Sequence, residues 1–379
     1  MLQRRIAIVA PPWYPVPPDG YGGVELVVGL LARELRGRGH EVVLFGAEGS
    51  DPGTSTLAPR GWDRDLGHPG ERWRELTYVS RLAAALRRER PFDVIHDHGG
   101  GGTLLAAEAA RLGPVLHTVH GPLGEAERTF YASLSGRVGL VAISRSQRGT
   151  APGLSWVATV PNSVDVSALR VGPAHSRGPT LVCLARICPD KGQHLAIAVA
   201  RRTGRPLVLA GKIEQTAASR RYFDEQIAPH LDGVHVRHVP NVAGQDKAEL
   251  LASATALLSP VQWPEPFGLA VAEAMASGTP AIAFRLGAMP ELIQDGVTGF
   301  LCDDLDQMVV AVGRAAAIDP ASCAGSARAR FGPVAMTDGY LAAYAAAAPR
   351  RSPLILAPPA RPLDGRWAPV VPTALAPGA

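Results

Sequence analysis

The chain has 379 residues, of which 46% are hydrophobic and 19% are charged, with a formal net charge of +4 at pH 7. This composition is typical of a folded globular protein and excludes a disordered or fibrous chain, and the length suffices for two ordinary domains. The arginines are scattered without interleaved aromatic residues, so no nucleic-acid partner is predicted, while weak peripheral contact with an anionic membrane stays open.

The cysteines and the hydropathy pattern predict a cytoplasmic protein. Four cysteines form no CxxC pair and no metal-ligand spacing, which favours a reduced compartment: Cys183, Cys188, Cys302 and Cys323. Arg4 and Arg5 precede an apolar run at residues 6–10, but that run is too short for a signal peptide, and Pro11 ends it. No stretch approaches the ~18 apolar residues that a transmembrane helix needs.

The first half of the sequence alternates short apolar runs with helical patterns. Leucines recur at helical spacing from Leu26 to Leu35, and Gly37 and Gly39 follow as a helix end. Buried strands are predicted at residues 6–10, 41–45, 93–96, 115–119, 140–143 and 157–160. Because helices connect these strands, the pattern predicts a parallel, doubly wound sheet.

The same pattern restarts in the second half. Strands are predicted at residues 180–185, 206–210, 234–238, 256–259 and 280–284. We therefore predict two α/β domains, over residues 1–168 and 169–348, joined by a Gly- and Pro-containing linker near residues 165–180. A last helix is predicted over residues 331–348, and its packing against the first domain is left open. Residues 349–379 contain eight prolines and are predicted to be extended or disordered.

The most informative local pattern lies between Ser259 and Glu273. A strand is followed by a Pro-rich loop and by a helix start near Phe267 and Gly268. The first N–H groups of such a helix lack internal partners and lie at the positive end of its dipole, so they suit a diphosphate. Glu265 and Glu273 then flank the anion site, where carboxylates accept hydrogen bonds from the vicinal hydroxyls of a sugar and a ribose. The alternative is a helix-dipole Glu265 and an exposed Glu273.

Several motifs in this region occur together in one known family. They are Glu265-Pro-Phe-Gly268, Glu273-Ala-Met-Ala-Ser-Gly-Thr-Pro280, and Pro290-Glu291 followed by Gly296-Val-Thr-Gly299-Phe-Leu301. With Gly22-Gly23-Val-Glu25 near the start, the sequence resembles family 4 of the retaining glycosyltransferases over nearly all of residues 4–345. The avilamycin-pathway branch of that family is a closer likeness. The resemblance implies a GT-B fold, in which two Rossmann-like domains face each other.

The resemblance also implies an activity and a donor site. The implied reaction moves a hexose from a nucleotide diphosphate sugar to a sugar, glycan or small-molecule acceptor, with that donor as co-substrate and no other cofactor. Arg186 and Lys191 follow the first strand of the second half, where an open α/β sheet binds ligands, and such cations stabilise a departing diphosphate. The implied donor site continues with Phe267, Gly268, Leu269, Ala270 and Glu273, while Glu265 is implied as catalytic.

The first half contributes two further candidates by the same resemblance. Gly22 and Gly23 let a loop approach the donor phosphates, although a glycine pair alone more often marks a turn. His120, at the end of a predicted strand, is implied to face the donor sugar. There it hydrogen-bonds a hydroxyl or steadies the charge that develops at the anomeric carbon. The alternative for His120 is a buried histidine with a structural partner.

A metal site is not predicted. His96 and His98 share one strand face in an extended chain while Asp97 points away, and no full ligand set with His117 and His120 is evident. Three other functions stay open: a sugar-nucleotide 2-epimerase, a sugar phosphorylase, and a non-catalytic nucleotide-sugar-binding subunit. The donor base, the acceptor and the oligomeric state are not predicted.

Overall fold

The structure, a computed structural model, describes residues 3–172 and 177–347. The tail predicted over residues 349–379 and residues 173–176 of the predicted linker lie outside the described residues. Two parallel sheets with flanking helices account for the described chain, which confirms the predicted α/β class. In these described ranges, no helix is long and apolar enough to cross a bilayer.

The N-terminal sheet has seven parallel strands in the order β3-β2-β1-β4-β5-β6-β7. The strands are β1 (Arg5–Val9), β2 (Glu41–Ala47), β3 (Ser55–Ala58), β4 (Val94–Asp97), β5 (Val115–Val119), β6 (Gly139–Ala142) and β7 (Trp156–Thr159). The edge strand β3 was not predicted, because it has only four residues, half of them polar, and shows no apolar run. The other six strands lie within one or two residues of their predicted bounds.

The described part of this half contains five α-helices: α1 (Gly23–Gly37), α2 (Glu71–Leu86), α3 (Gly101–Ala110), α4 (Glu125–Ser133) and α5 (Arg145–Gly149). The leucine spacing that predicted α1 places Leu30, Leu31 and Leu35 in the core beneath the sheet. On the opposite face, Tyr78 of α2 is buried, and its hydroxyl donates to the carbonyl of Ala10.

The C-terminal sheet has six parallel strands in the order β10-β9-β8-β11-β12-β13. They are β8 (Leu181–Leu184), β9 (Leu207–Ala210), β10 (Val236–Val239), β11 (Ala256–Ser259), β12 (Ala281–Phe284) and β13 (Gly299–Cys302). Strand β10 begins two residues later than predicted, because the Asp232 carboxylate accepts from the N–H groups of Val234, His235 and Val236 and holds a turn there.

The helices of this half are α6 (Gln193–Thr203), α7 (Ala217–Tyr222), α8 (Gly244–Ser253), α9 (Leu269–Ala276), α10 (Met289–Leu292), α11 (Leu305–Arg314), α12 (Pro320–Phe331) and α13 (Pro333–Ala347). Short 3₁₀ or π turns occur in both halves: at Trp62–Asp65 in the N-terminal half, and at Pro189–Lys191, Phe223–Ile227, Ala228–His230 and Ala315–Ala317 in the C-terminal half. The helix predicted from residue 331 begins at Pro333, because Gly332 separates α12 from α13 and proline suits a first helical position.

The last described helix returns to the N-terminal sheet. Helix α13 packs beside α1 and β7, and it buries Tyr340 and Tyr344 in the same core as Leu30.

Both sheets share one strand pattern, in which the strand order reverses beside β1 in the N-terminal sheet and beside β8 in the C-terminal sheet. Ligands of open α/β sheets bind outside the carboxyl ends of the strands at such a reversal, so the loops that follow β8 and β11 form the expected site.

Candidate active site

The loops after β8 and β11 are packed directly against each other. Gly192, at the end of the turn Pro189–Lys191, has φ +66°, and a Cβ there would lie 2.2 Å from the carbonyl oxygen of Pro260. The N–H of Gln262 donates to the carbonyl of Asp190 at 3.1 Å. Only glycine meets both the left-handed conformation and the close approach, so the sequence Lys191-Gly192 fixes how these loops meet.

This packing brings Lys191 and Glu265 together. The Lys191 Nζ lies 2.5 Å from Glu265 Oε1, and both side chains are largely buried. The ammonium also lies 5.6 Å from the ring centroid of Trp263. Two candidates that are far apart in sequence therefore form one ion pair at the strand reversal. The sequence interpretation had given them separate tasks and did not predict this contact.

Arg186 lies in the same region and is part exposed. Its guanidinium forms an ion pair with Glu214, a residue that the sequence interpretation missed. Burial lowers the pKa of Arg186, but Tyr21, Glu214, Cys188 and Glu265 together raise it overall. Arg186 therefore stays positively charged, close enough to Glu265 for the two charges to interact.

The start of α9, four residues after Glu265, offers unpaired backbone donors. Gly268 precedes the helix with φ +107°, and its carbonyl accepts from the N–H groups of Val271 and Ala272 at 3.1 and 3.2 Å. Within the described residues, the N–H groups of Leu269 and Ala270 have no protein acceptor. Two amide donors at the positive end of a helix are thus free to bind an anion.

Phe267 and Glu273 occupy different surroundings around this helix start. The helix begins after Phe267, whose side chain is buried in the core with its ring centroid 5.7 Å from that of Phe331. Only the backbone of Phe267 remains for a ligand. Glu273 is also buried, and its Oε1 accepts from Lys247 Nζ at 2.6 Å. The alternative of an exposed Glu273 is wrong, and Lys247 is a second charged partner that was not predicted.

The glycine pair of the N-terminal half meets the same helix start. Gly22 caps α1 with φ +148°, and Gly23 is the first helical residue. A Cβ on Gly23 would lie 2.9 Å from Leu269 Cδ1, so the first loop of one half contacts the first turn of α9. Next to it, Glu25 is buried, and burial raises the pKa of its carboxyl to about 7.

Two further contacts join the halves. Lys212 Nζ lies 3.1 Å from the hydroxyl of Tyr14 and 4.1 Å from the ring centroid of Tyr21. At a separate place, the Glu291 carboxylate accepts from the backbone N–H groups of Arg145 and Ser146 at 2.9 and 2.7 Å. Neither contact was predicted, because each depends on loops that only the folded halves bring together.

His120 directly follows β5, at the carboxyl end of the strand as predicted. Its Nε2 lies 2.9 Å from Nδ1 of His98, which follows the neighbouring strand β4. Burial, followed by the nearby His117, lowers the pKa of His120 to about 3, so its ring is neutral at physiological pH. Within the described chain, the hydrogen bonding of His120 stays in the N-terminal half and does not involve Arg186, Lys191 or Glu265.

The other histidines, and the two carboxylates of Asp304-Leu305-Asp306 after β13, have local partners. His96 and His98 do share one face, with ring centroids 4.0 Å apart, while Asp97 accepts from His117 at 2.6 Å on the other face. Asp304 caps α11 and Asp306 pairs with Arg202, so these two carboxylates do not converge. The described residues contain no group of three or more potential ligands that could hold a metal ion.

Sequence comparisons match both halves of the chain. The family model Glycosyltransferase Family 4 matches residues 21–167, and the model Glycosyl transferases group 1 matches residues 169–318. The phosphatidyl-myo-inositol mannosyltransferase of Mycolicibacterium smegmatis is 29% identical over 335 residues, which cover 81% of this chain and 83% of that protein.

Solved structures share the architecture over almost the whole chain. A glycosyltransferase involved in avilamycin A biosynthesis matches with a TM-score of 0.70 at 27% identity, covering 90% of this chain and 97% of that chain. Anabaena HepE in complex with UDP-glucose matches with a TM-score of 0.68 at 18% identity, covering 89% and 98%. At that lower identity the second match shows the fold alone, which is GT-B.

Proposed function

We propose that this chain, which belongs to family 4 of the glycosyltransferases, transfers a hexose from a nucleotide diphosphate sugar to an acceptor hydroxyl with retention of configuration. One observation supports this most: at the strand reversal of the C-terminal sheet, Lys191 pairs with Glu265, which also interacts with Arg186 and lies four residues before the unpaired amide of Leu269. Fixed positive charge and free N–H donors at one place suit a diphosphate.

Each site residue has a role in this proposal. The two cations and the amides of residues 268–270 bind the diphosphate, and Glu273 holds the ribose hydroxyls. Glu265 accepts from hydroxyls of the donor sugar, and Lys191 keeps its carboxylate in place at 2.5 Å. Gly22 and Gly23 approach the phosphates from the other half, and the neutral ring of His120 hydrogen-bonds the donor sugar.

The proposed reaction exchanges one bond at the anomeric carbon. The bond from this carbon to the phosphate oxygen breaks, and a bond to the acceptor oxygen forms on the same face. The acceptor proton moves to the leaving phosphate, so no protein nucleophile is required. Charge develops on the diphosphate as the bond breaks, and fixed cations and amides stabilise that charge without rearranging. Contact between the halves excludes water and thereby favours transfer over hydrolysis.

The relative at 29% identity supports a mannosyl donor, because it is named a mannosyltransferase. Thermal unfolding with UDP-, GDP-, ADP- and dTDP-sugars tests this choice, since the bound donor raises the apparent stability. The donor that stabilises the protein is then incubated with candidate acceptors. The one-bond ¹³C–¹H coupling constant at the anomeric carbon of the product, compared with that of the donor, reports whether the configuration is retained.

A substitution tests whether the cation acts in turnover. We expect Lys191→Ala to lower kcat by about 100-fold or more, because a fixed charge on the leaving group is lost. Arg137→Ala is the matched control, since Arg137 is an exposed cation of the N-terminal half that pairs with Glu108 and precedes β6, at the amino ends of the strands. Near-parental turnover by Lys191→Ala, with an intact circular dichroism spectrum, contradicts the assignment.

The same assays separate the other candidate functions. A 2-epimerase converts the donor into an epimer without any acceptor, and a phosphorylase depends on added phosphate. A non-catalytic subunit is stabilised by the donor but produces neither product. Each of these results contradicts glycosyl transfer.

A further inference from the structure

A chain of hydrogen-bonded histidines leads from His120 into the protein interior. His120 Nε2 lies 2.9 Å from His98 Nδ1, and His98 Nε2 lies 3.3 Å from His96 Nδ1. The rings of His98 and His120 also stack, with centroids 5.2 Å apart and an interplanar angle of 26°. None of these contacts is used by the catalytic roles assigned above.

The inner end of this chain is firmly anchored. The hydroxyl of Tyr344 lies 2.8 Å from His96 Nδ1, and the hydroxyl of Thr118 lies 2.8 Å from His96 Nε2. His96, His98 and Tyr344 are all at most 4% exposed. Because both ring nitrogens of His96 have partners in the core, its ring cannot rotate without breaking hydrogen bonds, and His98 rests against it.

All three rings are neutral near pH 7. Burial lowers the pKa of His96 and His98 well below the ordinary value, as it does for His120. A neutral imidazole carries one proton, so one nitrogen donates and the other accepts. In the contact between His98 and His120, the proton on one ring therefore determines which nitrogen of the other ring is protonated.

We propose that His98 is a positioning residue for His120, which holds Nε2 of that ring and thereby presents Nδ1, in one tautomer, to the donor sugar. This inference rests on the proposed role of His120. A ring held at one nitrogen has a fixed plane, and its free nitrogen has a fixed hydrogen-bonding character. The sugar hydroxyl then meets an oriented partner, which costs less ordering on binding.

Replacing His98 by isosteric amides tests the contact atom by atom. Asparagine places its amide near the Nδ1 position and keeps a partner for His120, whereas glutamine reaches the Nε2 position and leaves His120 unsupported. His98→Leu removes both contacts. His40→Leu is a matched control, because His40 is also buried but bonds to the backbone of Arg4 instead.

The readout is the ¹⁵N chemical shifts of the His120 ring, assigned with His120→Asn. We expect one neutral tautomer in the parent, His98→Asn and His40→Leu, and averaged or exchange-broadened ring signals in His98→Gln and His98→Leu. Unchanged His120 signals in a folded His98→Gln or His98→Leu overturn the proposal. If His98→Leu does not fold, the comparison of the asparagine and glutamine variants still decides.

Turnover provides the second readout. We expect kcat/KM to fall roughly tenfold in His98→Gln, as for one lost oriented hydrogen bond, and to recover in His98→Asn. Equal kcat/KM in these two variants overturns the positioning role. A parent that transfers no sugar contradicts the proposed function alone, because the nitrogen signals are measured without substrate and still test the link between His98 and His120.

Discussion

Glu25 should make the protein's stability fall as the pH rises, and Glu25→Gln should remove that dependence. Burial raises the pKa of this carboxyl from 4.5 to about 7, an effect that backbone N–H groups of Glu25 and Tyr14 only partly offset. The difference spans about 2.5 pH units, and each unit corresponds to about 1.4 kcal/mol. The full effect is therefore about 3.5 kcal/mol of unfolding free energy.

The sign follows from where the proton is bound. Below pH 4.5 the carboxyl is protonated in both states and carries no burial cost. Between about pH 4.5 and 7 the unfolded chain releases the proton while the folded protein retains it, so the parent loses stability as the pH rises. Above pH 7 the folded carboxyl is ionised too, and the loss is complete.

Urea unfolding at several pH values between 4.5 and 8.5 measures this effect. We expect the unfolding free energy of Glu25→Gln minus that of the parent to increase by about 3 kcal/mol across the range, and then to level off. Glu125→Gln, which changes an exposed glutamate in the first turn of α4, should show no such increase. A difference for Glu25→Gln that stays constant with pH would refute the reasoning.

Three further substitutions test contacts outside the proposed chemistry. Lys212→Met removes the hydrogen bond to Tyr14 and the cation–π contact across the halves, and should lower the melting temperature by roughly 2 °C; an unchanged melting temperature argues against the contact. Glu291→Gln weakens two hydrogen bonds from α5 and should lower the free energy of urea unfolding by about 1 kcal/mol; an unchanged unfolding free energy argues that the carboxylate does not bridge the halves. Asp304→Ala removes the cap of α11 and should cost about 1 kcal/mol while leaving kcat unchanged; lost turnover would indicate a catalytic role instead.

The sequence predicted most of the fold because its strands are short, apolar and bounded by turn residues. The predicted element bounds are wrong where the local apolar pattern does not determine the structure. Strand β3 is an edge strand whose polar residues give no periodic signal, and the start of β10 is set by the Asp232 side chain. Gly332 and Pro333 were present as a break between two helices, but the apolar pattern extends across them.

The candidate site was predictable in its positions and not in its pairings. Lys191 and Glu265 each follow a strand, and the shared sheet edge predicts that they lie near each other. Their direct ion pair depends on Gly192, whose close approach to Pro260 a sequence does not reveal. Glu214 and Lys247 belong to no motif, so their contacts with Arg186 and Glu273 had no sequence signal.

His98 had a signal that could have been used. It follows β4 and His120 follows β5, and two histidines at the ends of adjacent parallel strands are expected to be neighbours. The sequence interpretation weighed His98 only as a metal ligand. Strand order was needed to see that they contact each other, because adjacency in the sheet is a tertiary property.

The amide signals of Leu269 and Ala270 provide the most direct test of the anion site. Their N–H groups have no acceptor in the described protein, and in the proposed site a diphosphate accepts from them. A titration with nucleoside diphosphates, followed by ¹H–¹⁵N spectra, should shift both amide protons downfield, and the shifts should weaken in Lys191→Ala. Saturable binding that leaves these two amides unmoved would contradict the account.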